Sequence, residues 1–132
     1  MIARRLTILI LAGASLFGCG HEPPHSDYYM VAFLPGTPAP SDEGETGLDN
    51  AVREAGRHTP RFIAVSGAVP SAGAAPVLTQ QRLDAITHAF VTEGVNPGLI
   101  RTELRPMPDE DYQRRKDSFT IQLEYGLMSK IE

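Results

Sequence analysis

RFIAVSGAVPSAGAAPVLTQQRLDAITHAFVTEG, residues Arg61 to Gly94, divides into three parts. Arg61 to Ser66 is an apolar run with β-branched residues, which predicts a strand. Gly67 to Val77 is built only from Gly, Ala, Ser, Val and Pro, which predicts a loop. From Thr79 to Glu93, Leu83, Ile86, Phe90 and Val91 recur on one helical face with Ala89 beside them. Gln80, Gln81, Asp84, Thr87, His88 and Thr92 fall on the other side, so His88 reads as solvated. Thr79 is the expected N-cap and Gly94 the C′ stop, with Pro97 beyond it. The strand is too apolar for an exposed edge, which places it inside a sheet. A ligand site in such a unit belongs where the strand hands over to the loop and helix.

Upstream, Tyr28 to Leu34 (YYMVAFL) predicts a first strand, closed by Pro35-Gly36. A first helix is expected from about Ser41–Glu45 to about Arg57. Ser41 can cap it, and Asp42, Glu43 and Glu45 suit its N-terminal dipole. Leu48, Ala51, Val52 and Ala55 form its apolar stripe, while Gly44, Gly47 and Gly56 weaken it by propensity. The first two strands and this helix make a βαβ unit, whose strands should run parallel. Downstream, Leu99 to Leu104 predicts a third strand and Arg105 to Tyr112 a loop rich in proline and acid. Phe119, Ile121, Leu123 and Tyr125 then alternate with Thr120, Gln122 and Glu124, a strand with one buried and one wet face.

The chain has 132 residues, enough for one domain, and eleven prolines and twelve glycines give loops a large share of it. Arg4 and Arg5 precede an apolar run from Leu6 to Phe17, shorter than the ~20 residues a spanning helix needs. The run ends in Leu16-Phe17-Gly18-Cys19, and Cys19 is the only cysteine. This ending resembles the lipobox of bacterial lipoproteins. It implies cleavage between Gly18 and Cys19 and acylation of Cys19. In that family Gly20, in place of Asp, points to the outer membrane, with the domain facing the periplasm. Residues 1–18 are then a signal peptide, 19–27 the lipidated Cys and a polar tether, 28–126 the domain and 127–132 a tail.

Cleavage leaves ten basic against sixteen acidic residues, a formal charge of −6. Such a chain, without a basic cluster, is a poor nucleic-acid ligand. His21 and His25 cannot share a helix face across Pro23-Pro24, and Asp109-Glu110-Asp111 lacks the spacing of a calcium loop, so no metal or cofactor is expected. Nor is there a nucleophile–base constellation, so no enzymatic activity is expected.

The order strand, helix, strand, helix, strand, strand resembles the OmpA-like domain, the peptidoglycan-associating module of Gram-negative envelope proteins. The residues that carry it are Val65-Ser66-Gly67 at a strand end and Leu78-Thr79-Gln80-Gln81-Arg82 opening a helix. Ala85-Ile86, Phe90 and Glu93-Gly94-Val95 follow in the family's order. Phe33, Ala39, Glu43 and Gly44 echo its approach to the first helix. The resemblance implies an α+β fold, βαβαββ, with a mixed four-stranded sheet and two helices on one face. It also implies a ligand grip in which an Asp beyond the strand-end Gly and the helix-opening Arg hold the diaminopimelate of a stem peptide. Gly67 and Arg82 match that grip, but Pro70 occupies the Asp position and Gly67 to Val77 contains no acid. The family's paired Arg before the last strand is matched only by an earlier Arg114-Arg115. Two readings of Arg82 stay open: a carboxylate-binding residue, or a surface Arg paired with Asp84 or Gln81. Two functions follow. One is weak, non-covalent association with peptidoglycan. The other is an accessory lipoprotein of an envelope or secretion machine that uses the fold to dock protein.

Overall fold

The computed structural model describes residues 24–126. They run β1 (His25–Ala32), α1 (Asp42–Arg57), β2 (Phe62–Pro70), α2 (Val77–Thr92), a 3₁₀ turn (Pro97–Leu99), β3 (Ile100–Met107), α3 (Asp109–Arg115) and β4 (Ser118–Tyr125). The expected signal peptide, the Gly18–Cys19 cleavage site, His21 and the 127–132 tail lie outside the described residues.

The four strands form one sheet in the order β1-β4-β2-β3. β2 pairs parallel with β3 from Ile63↔Ile100 to Pro70↔Met107, and antiparallel with β4 from Phe62↔Glu124 to Ser66↔Thr120. The Ser26 hydroxyl donates to the Glu124 carboxylate at one end of β1, while the Phe33 N–H donates to Asp117 O at the other (2.8 Å). β1 therefore runs opposite to β4 and parallel to β2. The expected parallel pair exists, but β4 separates its members. The sheet is mixed and α+β, with both long helices on one face.

That face is set by period-2 alternation. Ile63 and Val65 of β2, Phe119, Ile121 and Leu123 of β4 and Val31 of β1 form the core with Leu48, Ala51, Val52 and Ala55 of α1 and Leu83, Ile86 and Phe90 of α2. Each fully buried Ile, Leu or Phe contributes about 1.5–3 kcal/mol, so these aliphatic layers carry the fold without a disulfide. Val91, expected on the buried face of α2, is instead exposed, because it lies off the stripe that Leu83, Ile86 and Phe90 define.

The ends of the elements differ from expectation in physically consistent ways. Ser41 does cap α1, accepting from Gly44 N–H (3.1 Å). Thr79 does not cap α2: the helix begins at Val77 after Pro76, and Thr79 is buried inside its first turn. β2 continues through Gly67 to Pro70, and β3 through Arg105 to Met107. Parallel pairing along their whole length satisfies the backbone that Gly67, Pro70 and Pro106 were expected to interrupt. The acidic stretch Asp109-Glu110-Asp111 is not a loop but the first turn of α3, where negative charge suits the helix dipole.

Candidate functional site

Gly67 and Arg82, the two residues implied as a ligand grip, occupy opposite ends of one buried stack. A Cβ on Gly67 would overlap the ring of Phe119, so the absent side chain makes room for that ring. Phe119 meets Phe33 edge-on, with centroids 5.4 Å apart and planes at 73°. Such a T-shaped pair suits the ring quadrupoles. The Phe33 ring in turn lies under the Arg82 guanidinium, 5.0 Å from centroid to Cζ.

The Arg82 guanidinium is enclosed by protein; the residue is 2% exposed. Nε donates to Thr37 O (2.8 Å) and Nη2 to Leu34 O (3.0 Å). Nη1 donates to Lys116 O (3.0 Å) and to Asp117 Oδ1 (2.9 Å). Four of the five N–H groups of an arginine are thereby used. The acceptors come from two irregular segments, the turn after β1 and the turn between α3 and β4. The carbonyls there lie outside the sheet ladder, and a carbonyl shut off from water without a donor is costly. A planar fork of donors on α2 satisfies three of them at once, which a compact ammonium could not. Arg82 is thus neither at the surface nor paired with Asp84 or Gln81. Asp84 instead accepts from Gln80 (2.9 Å), and the carboxylate facing Arg82 is Asp117, itself one-third exposed.

Pro70 pairs with Met107 at the end of the parallel ladder, and Ser71 N–H closes it by donating to Met107 O (2.9 Å). Residues 71–75 beyond it are exposed and present no carboxylate. Arg114 and Arg115 end α3. Arg114 is held by Asp111 one turn earlier, while Arg115 makes no ion pair with a described residue. No group of three or more His, Cys, Asp or Glu is placed to hold a metal ion among the described residues.

Electrostatic strain gathers elsewhere. Burial raises the Tyr125 phenol, and the nearby carboxylates of Glu54 and Asp27 raise it further, to about 12. Tyr29 is shifted up for the same reasons. A folded-state pKa above the unfolded value of about 10 makes stability full below pH ~10 and lost as pH rises towards ~12. Denaturant titrations across that window should show the wild-type chain losing stability more steeply than Tyr125→Phe. Equal slopes would mean that the phenol is not buried beside those carboxylates.

No protein-family model matches the chain, and no curated protein matches it in sequence. Solved structures do share its fold. The OmpA-like domain of FopA1 from Francisella tularensis superimposes with a TM-score of 0.57 at 11% identity, covering 81% of this chain and 79% of that one. The peptidoglycan-associated lipoprotein from Burkholderia pseudomallei gives 0.54 at 17% identity, over 73% and 89%. An outer membrane protein from Borrelia burgdorferi gives 0.51 at 12%, over 78% and 94%. The fold is therefore that of OmpA-like domains. At these identities the likeness establishes architecture and leaves ligand chemistry to the residues.

Proposed function

We propose that the chain is an envelope lipoprotein, anchored to the outer membrane through Cys19 and facing the periplasm. In this reading its OmpA-like fold docks protein in an envelope or secretion assembly and does not grip a cell-wall peptide. The envelope address draws on the lipobox-like Leu16-Phe17-Gly18-Cys19 and on the company the fold keeps, which includes a peptidoglycan-associated lipoprotein. The observation that carries the docking reading is the enclosure of Arg82. Its guanidinium is already committed to three carbonyls and Asp117, and Pro70 leaves no carboxylate opposite it. A stem-peptide carboxylate would have to break that buried cluster before gaining one bidentate contact, an exchange that loses more hydrogen bonds than it makes.

The test is sedimentation of the full chain, held in neutral detergent, with purified peptidoglycan. The chain should remain in the supernatant. Pelleting that free diaminopimelate-containing stem peptide competes away would overturn the proposal in favour of cell-wall binding.

A further inference from the structure

The face of the sheet turned away from α1 and α2 carries charge of both signs, but one end of it is lined by arginine without acid. The two long helices hold Asp42, Glu43, Glu45, Asp49, Glu54 and Asp84 against only Arg53, Arg57 and the buried Arg82. The open face and the helix beside it hold Arg101, Arg105, Arg114 and Arg115 together with Glu103, Glu124, Asp109, Glu110 and Asp111. Arg101 sits over the Phe62 ring (3.9 Å from Cζ to centroid), which holds its charge on that side. Within this mixed face the positive potential is local, set by the arginines at its groove end.

At one end of the face lies a groove of about 510 Å³, and no acidic residue lines it. Small residues make its floor: Ser66 and Ala68 of β2, Ser118 and Thr120 of β4. Tyr28 and Met30 of β1 form one wall, and both are nearly two-thirds exposed. Arg105 and Met107 of β3 and the last turn of α3 form the other. Of its three arginines, Arg114 is neutralised by Asp111, and Arg105 meets Glu103 only at 3.8 Å with both groups exposed. Such an exposed pair holds its partner weakly. Arg105 and Arg115 are therefore available to an incoming anion.

We propose that this groove is the docking surface and that its occupant is an extended, acidic segment of a partner protein, with apolar side chains between its carboxylates. This rests on the docking reading above and adds where the partner sits and what chemistry it has. Strands lie about 4.8 Å apart, so the trough across four of them spans roughly 14 Å, the length of about four extended residues. Carboxylates on such a segment would reach Arg105 and Arg115 by the paired hydrogen bonds a guanidinium offers. Its apolar side chains would meet Tyr28, Met30 and Met107, where methionine adapts to varied shapes. A concave floor of small residues between raised walls suits a single chain better than a planar membrane surface.

The probe is a fluorescein-labelled peptide of alternating Glu and Val, about a dozen residues long, titrated with the full chain in neutral detergent and read by fluorescence anisotropy. Saturable binding is expected. It should weaken at least tenfold in the double variant Arg105→Glu/Arg115→Glu, whose fold is checked by circular dichroism, and it should fall as salt is raised from about 0.05 to 0.5 M. The matching Gln/Val peptide should not bind. Equal binding of the Gln/Val peptide, or indifference to the charge reversal, overturns the proposal. Absence of any binding also overturns it, and leaves the docking reading to another surface. Displacement of the peptide by phosphatidylglycerol doped into the micelles would reassign the groove to a membrane. Preferential displacement by a cell-wall stem peptide would overturn both this proposal and the docking reading.

Discussion

Arg82→Met should cost about 3–5 kcal/mol of folding stability, the range found when one partner of a buried, hydrogen-bonded charge pair is removed. Methionine keeps much of the aliphatic volume over Phe33, so the loss reports the guanidinium and not a cavity. What remains after the change is a set of groups that lose a donor: Thr37 O, Lys116 O, the Asp117 carboxylate and Leu34 O, the last still accepting from the Thr37 N–H (3.1 Å). Asp117 is one-third exposed and can turn to water, but the carbonyls are fixed in their turns. The cost therefore falls mainly on the two turns, which Arg82 holds against α2. Arg82→Lys retains the charge, yet three donors on one nitrogen cannot reach acceptors spread around a planar fork, and about 2–3 kcal/mol should still be lost. Asp117→Asn should be milder, about 1–2 kcal/mol, because an amide oxygen can still accept. Chemical denaturation measures all three. Since domains of this kind have only about 5–15 kcal/mol in total, Arg82→Met could leave a measurable unfolded fraction in buffer. An Arg82→Met protein within about 1 kcal/mol of wild type would show that the guanidinium does not sit in this enclosure.

The same residue marks the boundary of what could be read in the sequence. The stripe Leu83, Ile86 and Phe90, the Ser41 cap and the alternation from Phe119 to Tyr125 each declare an element through local spacing, and each element is present. Arg82 declares nothing of its surroundings, because three of its four acceptors are backbone carbonyls more than thirty residues away, and carbonyls carry no residue code. Helix α3 was illegible for a different reason. None of its residues is buried, so it has no apolar stripe, and its flanking Pro108 and acidic start resemble a loop. Gly67, Pro70 and Pro106 have the local signature of breakers, so the sequence shows β2 and β3 shorter than they are. Pro106 is tolerable because β3 is an edge strand, and Pro70 because it is the last residue of β2. The place of β4 between β1 and β2 is a property of the whole sheet that no local pattern states. The groove was likewise invisible. Its lining draws on three segments from Tyr28 to Gln122, brought together only by the strand order.

Gly44→Ala and Gly47→Ala should each destabilise the domain by about 2–4 kcal/mol, although alanine is the better helix former by about 1 kcal/mol. From the sequence these glycines weaken α1. In the structure they let α1 ride directly on β1. A Cβ at Gly44 would overlap the backbone of Ala32, and one at Gly47 the carbonyl oxygen of Met30. The atoms in the way are backbone and cannot rotate aside, so the helix would have to lift. β1 is an edge strand, and α1 covers the edge that would otherwise stand open to another chain. Lifting it would stretch the bonds by which Ser41 N–H (2.9 Å) and the Ser41 hydroxyl (3.2 Å) donate to Ala32 O. It would also draw Leu48, Ala51 and Val52 out of the core. Gly56, on the same helix, has nothing within 4 Å of its virtual Cβ, so Gly56→Ala should follow propensity and stabilise by up to about 1 kcal/mol. Guanidinium unfolding of the three variants gives opposite signs if α1 packs as described. Sedimentation of the first two should also show concentration-dependent association, because the bared edge of β1 can pair with a second copy. Were Gly44→Ala and Gly47→Ala to stabilise the chain as Gly56→Ala does, the contact between α1 and β1 would not exist. The cover over that sheet edge would then have to come from elsewhere in the chain.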